Sequence, residues 1–224
     1  MKLPQCEINF LQEMPAREIL FVAGGRFPSD KYFLKLAANK KIFAIDKGIE
    51  LCHKLKIFPE ILIGDFDSAN KIFVDWAIEN KIPIEKYPVE KDFTDLQLAL
   101  NKFDKNFSAI VTGIFGGRFD HLFSNIFTCA NYKNIFLADD KEIIFYLREN
   151  QSAEIIFDDK PQIISLLPIT EICEGVSINN VRWELDNAKL FQNIPNAISN
   201  KILSQKKISV SNSSGVLAIY FYFE

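Results

Sequence analysis

Histidine and paired cysteines are scarce in this sequence. It contains two histidines, His53 and His121, and four cysteines that form no Cys-x-x-Cys pair. A structural zinc site needs such ligands at close spacing, so this composition argues against one. Scattered cysteines in a chain of 224 residues are typical of a reducing compartment, and we expect a cytoplasmic protein.

Long apolar runs and an excess of basic charge are also missing. No segment approaches the roughly 20 apolar residues that span a bilayer, and the opening residues MKLPQCEINFLQEM contain no apolar stretch of signal-peptide length. We therefore expect no membrane association. The formal net charge of −3 argues against a protein that binds duplex DNA or RNA, because such proteins usually present a basic face. A small anionic ligand at a local site is still compatible with this charge.

The first part of the chain alternates short apolar runs with helical patterns. The runs are mostly unbroken, as expected of strands that are buried on both faces of a sheet. They occupy residues 18–24, 41–46, 60–65, 82–87, 108–114 and 134–139. Between them, TDLQLALNKF (94–103) and FDHLFSNIFTCA (119–130) place their apolar residues on one helical face. Strands and helices that alternate in this way predict a parallel sheet with right-handed crossovers.

After about residue 141 the pattern changes to β-rich segments that are broken by Pro, Gly, Asn and Asp. These segments contain no convincing amphipathic helix, and they predict a small antiparallel sandwich or barrel. The predicted fold class is therefore α/β, with a parallel-sheet domain at residues 1–141 and a small antiparallel β-sandwich domain at residues 142–224.

Acidic residues collect where the predicted strands end. Asp46 follows the second apolar run, Asp65 and Asp67 follow the third, and Asp92 and Asp95 follow the fourth. Ligands of open parallel sheets bind at the carboxyl ends of the strands. Two carboxylates about 4 Å apart repel each other by roughly 4 kcal/mol at an effective dielectric constant near 20, so the closest pair favours a bound cation.

A single aspartate at a strand-to-helix turn usually forms the turn or caps the helix. Thr94, with Gln97 three residues later, has the spacing of such a cap and predicts a helix start. Turn and cap roles account poorly for the whole acidic set, and they do not account for Asp65 beside Asp67. Mg²⁺ takes oxygen ligands and is usually shared between carboxylates and substrate phosphates. The sequence therefore predicts a magnesium site that carries a polyphosphate.

Two glycine-rich turns favour a phosphate near this site. AGG (23–25) ends the first run, TGIFGGR (112–118) ends the fifth, and Arg118 adds a forked donor. The sequence has no GxxxxGK[ST] and no GxGxxG motif, so it carries neither a P-loop nor a dinucleotide fingerprint. His121 and Asn125 lie four residues apart on the helix face opposite the apolar stripe, where they belong either to the site or to an ordinary helix surface.

An ordered set of short motifs resembles the thiamine pyrophosphokinase family. The motifs are DKG (46–48), GDFDS (64–68), DFTDLQLAL (92–100), GGRFDHLFSN (116–125), SLLPI (165–169), GVSINNVRWEL (175–185) and AISN (197–200). Each motif is short, but together they span most of the chain. The first motif departs from the family, which usually has glycine or another small residue where Lys47 stands.

The resemblance implies an enzyme that transfers pyrophosphate from ATP to thiamine in one step and releases AMP with thiamine diphosphate. It implies that the predicted domain at residues 1–141 is an ATP-binding catalytic domain and that the domain at residues 142–224 binds thiamine. It also implies a homodimer in which thiamine is held between subunits.

The resemblance assigns the site residues as well. It implies that the catalytic carboxylates are Asp65, Asp67, Asp95 and Asp120, and that the Mg²⁺ ligands are Asp46, Asp65, Asp67 and Asp95. The residues on the ATP side are Asp46, Gly48, Ser68, Asp92, Thr94, Thr112, Gly117, Arg118, His121 and Asn125. Those on the thiamine side, which reach in from the other subunit, are Trp183, Ser199 and Asn200. Asp120 is expected to face thiamine, whose cationic ring suits stacking on Trp183.

Two other functions stay open at this point. A metal-dependent phosphoesterase uses an acidic cluster to activate water, although such sites usually recruit more histidine. A nucleotide or thiamine sensor uses the same scaffold without turnover. The group that accepts the proton of the thiamine hydroxyl is open too: Asp95 and Asp120 are candidates, beside a metal-bound water and the phosphate itself.

Overall fold

The computed structural model describes residues 1–12, 15, 18–67, 69–103, 107–203 and 206–224. Its fold is mixed α/β with two sheets, one mixed and one antiparallel. The chain divides into two compact units. The α/β unit comprises Pro15–Asp139, and the β-rich unit joins Met1–Met14 to Asp140–Glu224.

The α/β unit contains the six strands expected from the apolar runs. They are β2 (Glu18–Val22), β3 (Lys41–Ile45), β4 (Ile61–Gly64), β5 (Ile84–Lys86), β6 (Ser108–Thr112) and β7 (Ile135–Ala138). They pair in parallel in the order β7-β6-β2-β3-β4-β5. Nearly every residue of the strands other than β5 is buried, which confirms that these unbroken runs are strands covered on both faces.

Helices follow most of these strands. They are α1 (Asp30–Ala37), α2 (Ile49–Lys54), α3 (Lys71–Glu79), α4 (Asp95–Asn101) and α5 (Phe119–Ala130). Helix α4 begins where the sequence predicted: the backbone N–H of Gln97 donates to Thr94 Oγ1 at 3.2 Å, and the backbone N–H of Thr94 donates to Gln97 Oε1 at 2.9 Å. This capping box is confirmed, and Leu96, Ala99 and Leu100 bury the predicted apolar face.

Helix α5 differs from the expected pattern. Phe119 is 77% exposed and Phe123 is 54% exposed, and burial is confined to residues 128–130 at the end of the helix. The rings of Phe119, Phe123 and Phe127 form a row whose successive centroids lie 5.9 and 4.8 Å apart. The apolar stripe is therefore present, but it is covered unevenly: Phe119 and Phe123 are exposed, the stripe residues between and after them are half-buried, and full burial is reached only at the C-terminal end.

The β-rich unit contains two sets of antiparallel strands. They are β1 (Cys6–Phe10), β8 (Glu142–Leu147), β9 (Gln151–Phe157), β10 (Ile163–Pro168), β11 (Ile172–Asn179), β12 (Leu185–Phe191), β13 (Lys207–Asn212) and β14 (Leu217–Tyr222). One set has the order β1-β9-β13-β11-β12, and the other has the order β10-β14-β8. Aromatic rings join the two sets: Phe157 of β9 meets Phe221 of β14 with centroids 5.1 Å apart, and Phe10 of β1 meets Phe145 of β8 at 5.9 Å.

The first residues of the chain lie in a different unit from the one predicted. The sequence predicts residues 1–14 as part of the α/β domain, whereas β1 pairs antiparallel with β9 and belongs to the β-rich unit. Cys6 and Ile8 are fully buried in this arrangement. The pairing joins segments far apart in the chain, so no local pattern indicates it.

The four cysteines are free and buried. Burial raises the pKa of the Cys6 and Cys52 thiols to about 12, so neither thiol supplies a thiolate at neutral pH. Among the residues described here, none of the helices combines the length and the apolar character needed to cross a membrane.

Candidate active site

A cavity of about 580 Å³ opens at the carboxyl ends of the parallel strands. Its walls come from the loops that follow β2, β3, β4, β5 and β6. Ten of the residues singled out in the sequence line it: Asp46, Asp65, Asp67, Asp92, Thr94, Asp95, Gly117, Arg118, His121 and Asn125. Loops distant in sequence are thus brought to one edge of the sheet, where ligands of such folds bind.

The other residues expected on the ATP side or in catalysis lie elsewhere. Gly48 is buried, and a Cβ at this position would lie 1.8 Å from the carbonyl oxygen of Val22, so the glycine allows close packing against β2. Thr112 is fully buried at the end of β6. Asp120 is exposed on α5 and does not line the cavity. Ser68 lies outside the described residues.

Three aspartates form the core of the acidic cluster. One carboxylate oxygen from each of Asp46, Asp65 and Asp67 lies within 4.8 Å of the others. Asp46 follows β3 and Asp65 follows the neighbouring strand β4. A Cβ at Gly64, the last residue of β4, would lie 3.2 Å from both Cα and Cβ of Asp46. The missing side chain at Gly64 therefore lets the two turns come close together.

A tight turn at Phe66 places the carboxylates of Asp65 and Asp67 on the same side of the chain. Phe66 has a φ of +64°, and the backbone N–H of Asp67 donates to Asp65 Oδ1 at 3.2 Å. Asp46 also has a positive φ, of +45°. A left-handed conformation costs a residue other than glycine about 1–2 kcal/mol. The cluster is thus assembled at the expense of backbone strain, which is common at functional sites.

Lys91 connects the fourth predicted metal ligand to this cluster. Its Nζ lies 2.5 Å from Asp65 Oδ2 and 3.3 Å from Asp95 Oδ1. The carboxylate of Asp95 is outside the group of three that meets within 4.8 Å, and it reaches Asp65 through the lysine. The sequence reading did not assign Lys91. The one feature of the sequence that indicates a contact between Lys91 and Asp95 is their four-residue spacing at the start of α4.

The surroundings shift the acidity of Asp65 and Asp95 in opposite directions. Burial tends to raise the pKa of Asp65, but the hydrogen bond from Lys91, the backbone N–H of Asp67 and the lysine charge bring it below its usual value. Burial raises the pKa of Asp95, and the charge of Asp65 adds to this increase, which Lys91 offsets only in part. Asp65 is therefore held ionised, and Asp95 is the stronger base of the two.

The residues just before α5 and its first two turns bring further polar groups to the cavity. Gly117, Arg118, His121 and Asn125 line it. Arg118 Nη2 lies 2.5 Å from Asp120 Oδ2 in an exposed ion pair. The hydrogen bond from Arg118 lowers the pKa of Asp120, which makes Asp120 a weak base.

The two glycine-rich turns are fixed to each other. The backbone N–H of Gly25 donates to the carbonyl of Gly113, and that of Arg26 donates to the carbonyl of Phe115, both at 2.6 Å. A Cβ at Gly25 would lie 2.7 Å from each of these carbonyl oxygens. The Arg26 guanidinium pairs with the fully buried carboxylate of Asp139, with Nη2 2.6 Å from Oδ2. These contacts set the shape of the cavity wall.

Some lining residues were not predicted to belong to the site. Lys47, Lys91, Val89 and Phe93 all line the cavity, and the last two are exposed apolar side chains. Lys47 was visible only as a departure from the family pattern. Phe93 stands between Asp92 and Thr94, and nothing in the local sequence distinguishes its ring from a core side chain.

The three residues expected on the thiamine side lie together in the β-rich unit. The backbone N–H of Trp183 donates to Asn200 Oδ1 at 3.1 Å, and Asn200 Nδ2 donates to the carbonyl of Trp183 at 2.7 Å. The backbone N–H of Ser199 donates to Ser165 Oγ at 3.1 Å. Trp183 is 54% exposed, and Arg182 Cζ lies 4.9 Å from its ring centroid. Trp183 is therefore a surface tryptophan with an available ring face, and not a core residue.

Comparison with known proteins identifies related sequences over most of the chain. A family model described as thiamin pyrophosphokinase, catalytic domain, matches residues 33–138, and one described as thiamin pyrophosphokinase, vitamin B1 binding domain, matches residues 152–217. A thiamine pyrophosphokinase from Bacillus subtilis is 29% identical over 181 residues, which cover 77% of this chain and 83% of the relative. Thiamine pyrophosphokinase 1 from rice is 24% identical, and the match covers 73% of this chain and 66% of the rice protein.

Solved structures show the same fold. A crystal structure of thiamine pyrophosphokinase from Bacillus subtilis has a TM-score of 0.80 at 24% identity, and it covers 93% of this chain and 100% of its own. The yeast thiamin pyrophosphokinase structure has a TM-score of 0.73 at 16% identity and covers 95% of this chain and 88% of its own. At these identities the likeness establishes the architecture, and the chemistry has to be argued from the residues.

Proposed function

The chain belongs to the thiamine pyrophosphokinase family, and we propose that it transfers pyrophosphate from ATP to thiamine in one step at the cavity of the α/β unit. The family uses ATP as co-substrate and makes thiamine diphosphate. The observation that carries the proposal is the meeting of Asp46, Asp65 and Asp67 within 4.8 Å, inside the stretch matched by the catalytic-domain model. The comparisons support neither a phosphoesterase nor a sensor.

The acidic cluster fits a magnesium ion. Its donors are carboxylate oxygens of Asp46, Asp65 and Asp67, which are hard ligands close enough to share one ion. Bound there, Mg²⁺ would neutralise charge on the triphosphate. Asp95 is the fourth proposed ligand, because it begins α4 at the edge of the same cavity, with Lys91 between it and Asp65.

The remaining cavity residues suit the nucleotide. Backbone N–H groups of the glycine-rich turns, together with Arg118, neutralise phosphate charge, since such donors bind anionic oxygens well. Gly117 contributes open backbone, because no atom lies within 4 Å of a Cβ built there. Asp92, Thr94, His121 and Asn125 complete the ATP side. Gly48 and Thr112 support this wall from the buried side.

The transfer joins the hydroxyethyl oxygen of thiamine to the β-phosphorus of ATP. The bond from that phosphorus to the oxygen bridging it to the α-phosphate breaks, and AMP leaves with the bonding electrons. The protein contributes mainly position and charge neutralisation, as is usual in phosphoryl transfer. Asp95 and Asp120 are both candidate acceptors for the hydroxyl proton: burial raises the pKa of Asp95, whereas the hydrogen bond from Arg118 lowers the pKa of Asp120.

The β-rich unit supplies the thiamine side, and the enzyme acts as a homodimer with Trp183, Ser199 and Asn200 facing the cavity of the other subunit. The exposed indole of Trp183 suits the cationic thiazolium ring. Arg182 stands near this ring, so thiamine stacks on the face away from the guanidinium. Asp120 adds negative charge on the side of the cation. The exposed rings of Phe119 and Phe123 support a further protein surface over α5.

We also place the enzyme in the cytoplasm. The four free cysteines support this proposal, because a reducing compartment keeps thiols unpaired.

The proposal is tested by incubating the protein with Mg²⁺, ATP and thiamine and separating the products. The expected products are AMP and thiamine diphosphate in equal amounts. ADP with thiamine monophosphate would contradict the single-step transfer. Phosphate without thiamine-dependent AMP would favour a phosphoesterase, and tight thiamine binding without any product would favour a sensor.

Variants of the cluster test where the reaction occurs. Asp65→Asn and Asp67→Asn should each lower kcat by about 10²-fold or more, the scale of removing one group that acts on transition-state charge. Asp75→Asn is the control, since Asp75 lies on α3 and pairs only with Lys71 among the contacts described. Full activity in both cluster variants would remove the metal-site assignment.

A further inference from the structure

Lys91 occupies a cation position inside the acidic cluster. Its Nζ lies 2.5 Å from Asp65 Oδ2, 3.3 Å from Asp95 Oδ1 and 3.1 Å from the carbonyl oxygen of Pro88. The side chain is only 14% exposed, yet it lines the cavity. Its positive charge therefore faces both the carboxylates and the space that a ligand fills.

Lys71 forms an ordinary surface ion pair that can be compared with the contacts of Lys91. Lys71 and Asp75 on α3 have the same four-residue spacing as Lys91 and Asp95, with Lys71 Nζ 2.6 Å from Asp75 Oδ2. Lys71 is 84% exposed, so water screens that pair and the pair contributes little. Lys91 makes similar contacts largely out of water, where charges interact more strongly.

Both oxygens of Asp65 are engaged in the structure. Oδ1 accepts from the backbone N–H of Asp67, and Oδ2 accepts from Lys91. Asp65 nevertheless belongs to the three carboxylates that converge within 4.8 Å. A divalent ion at these carboxylates would meet Lys91 as a competitor for Asp65, since both are cations that require the same oxygens.

We propose that Lys91 is an exchangeable counter-cation: it holds Asp65 and Asp95 together in the metal-free protein and moves to a phosphate oxygen of the nucleotide when the site is loaded. The inference deepens the proposed function and depends on it for the identity of the phosphate. Lys91 contacts two of the four aspartates, so the acidic cluster by itself keeps an excess of negative charge. The loaded site has the opposite need, because a triphosphate brings more negative charge than one divalent ion cancels.

The position of Lys91 allows this movement. Lys91 lies on the loop between β5 and α4, and its neighbours Val89 and Phe93 are exposed. Its ammonium group is a point charge on a flexible four-carbon stem, so it can change partners by rotating about side-chain bonds. A lysine whose only role was to support the fold would have no need to line the cavity.

The test is to replace Lys91 by methionine, which keeps the length of the side chain and removes the charge. Binding is measured by calorimetry in two titrations: MgCl₂ alone, and a non-hydrolysable ATP analogue in saturating MgCl₂. Lys91→Met should bind Mg²⁺ alone about tenfold more tightly, because a nearby positive charge is gone. The same variant should bind the analogue about tenfold more weakly, because one charge-assisted hydrogen bond to phosphate is lost. Lys91→Gln is a second, polar variant for the same titrations.

Two controls define what overturns the proposal. Lys71→Met removes a lysine from the exposed pair and should change neither affinity. Lys91→Arg keeps the charge and should keep Mg²⁺ affinity near that of the natural protein. If Lys91→Met and Lys91→Gln weaken both titrations, Lys91 only supports the fold, and if they change neither, it is a bystander; each result overturns the exchange.

The Mg²⁺ titration also separates this proposal from the proposed function. It requires no thiamine and no turnover, so a change in Mg²⁺ affinity in the absence of thiamine diphosphate synthesis would leave the exchange intact and refute the reaction. Synthesis of thiamine diphosphate, together with unchanged Mg²⁺ and analogue affinities in the variants, would support the reaction and refute the exchange. If neither the natural protein nor Lys91→Met responds to Mg²⁺, both the exchange and the metal site are wrong.

Discussion

Removing Arg26 tests whether an ion pair with one buried carboxylate holds the cavity wall. Arg26 follows Gly24 and Gly25 on the turn after β2, and its guanidinium reaches Asp139 with Nε at 2.9 Å and Nη2 at 2.6 Å from Oδ2. Asp139 is fully buried, whereas Arg26 is 36% exposed. The two partners of one ion pair therefore have different access to water.

The magnitude follows from this difference. Arg26→Met leaves the carboxylate of Asp139 buried without its guanidinium partner, which should lower the free energy of unfolding by about 3–5 kcal/mol. Asp139→Asn leaves a guanidinium that can turn toward water, so its cost should be smaller, about 1–2 kcal/mol. The double variant removes both charges, and we expect it to be more stable than Arg26→Met alone.

The assay is urea unfolding of the natural protein, both single variants and the double variant, followed by circular dichroism. The four free energies form a double-mutant cycle whose coupling term measures the pair itself. The same variants are titrated with the ATP analogue, because the backbone N–H of Arg26 donates a hydrogen bond to the carbonyl of Phe115 in the loop after β6. We expect Arg26→Met to weaken nucleotide binding as the two glycine-rich turns separate.

A surface pair of almost equal length provides the control. Lys54 Nζ lies 2.5 Å from Asp30 Oδ1, but both side chains are largely in water. Lys54→Met should cost no more than about 1 kcal/mol, because exposed ion pairs contribute little. Equal costs for Arg26→Met and Lys54→Met, or a larger cost for Asp139→Asn than for Arg26→Met, would show that burial does not decide the outcome.

Four smaller predictions concern single residues of the site. Thr94→Ala removes the cap of α4 and should lower the free energy of unfolding by about 1 kcal/mol in the urea assay, while Thr94→Ser should lose less. The pKa of Asp95 is raised in the folded protein, mainly by burial, so its ionised form opposes folding, and acidification through the raised pKa relieves this cost. Asp95→Asn should accordingly raise Tm at pH 7, reduce the relief seen on acidification and abolish most of the activity; a lower Tm would contradict this. Lys47→Ala should raise KM for ATP by about tenfold with little effect on kcat, as expected for one charge that binds phosphate in the cavity; an unchanged KM for ATP would place Lys47 outside the nucleotide site. Trp183→Ala should raise KM for thiamine by about tenfold and leave KM for ATP unchanged, while Trp183→Phe should retain most of the affinity; equal effects on both substrates would contradict the stacking role.

The sequence was informative wherever a local rule decides the structure. Unbroken apolar runs located the six strands of the α/β unit, because burial on both faces leaves a simple pattern. Thr94 and Gln97 located the start of α4, because a cap depends only on neighbouring residues. Because β3 and β4 are parallel neighbours, Asp46 and Asp65 follow adjacent strand ends, and their convergence comes from the topology.

The features that were missed depend on contacts between distant segments. Strand β1 pairs with β9, and no pattern within residues 1–14 identifies a partner so far along the chain. Lys91 resembled any lysine of a polar loop until the fold placed it between Asp65 and Asp95. Phe119 repeats with helical spacing as a buried residue does, but spacing cannot tell whether the same chain covers it. In each case the same local sequence pattern is compatible with the observed contacts and with their absence.

The acidic cluster is an arrangement that the protein holds at a cost. Two of its turns adopt left-handed backbone, at Asp46 and Phe66, each costing about 1–2 kcal/mol. Its carboxylates repel one another, and Lys91 offsets only part of that repulsion. Folding alone would select against such a set, whereas a ligand that binds only the assembled cluster stabilises the folded state by an amount that grows with the logarithm of its concentration over its Kd. Cation binding therefore explains a strained and repulsive cluster at the edge of a cavity better than any contribution to the fold does.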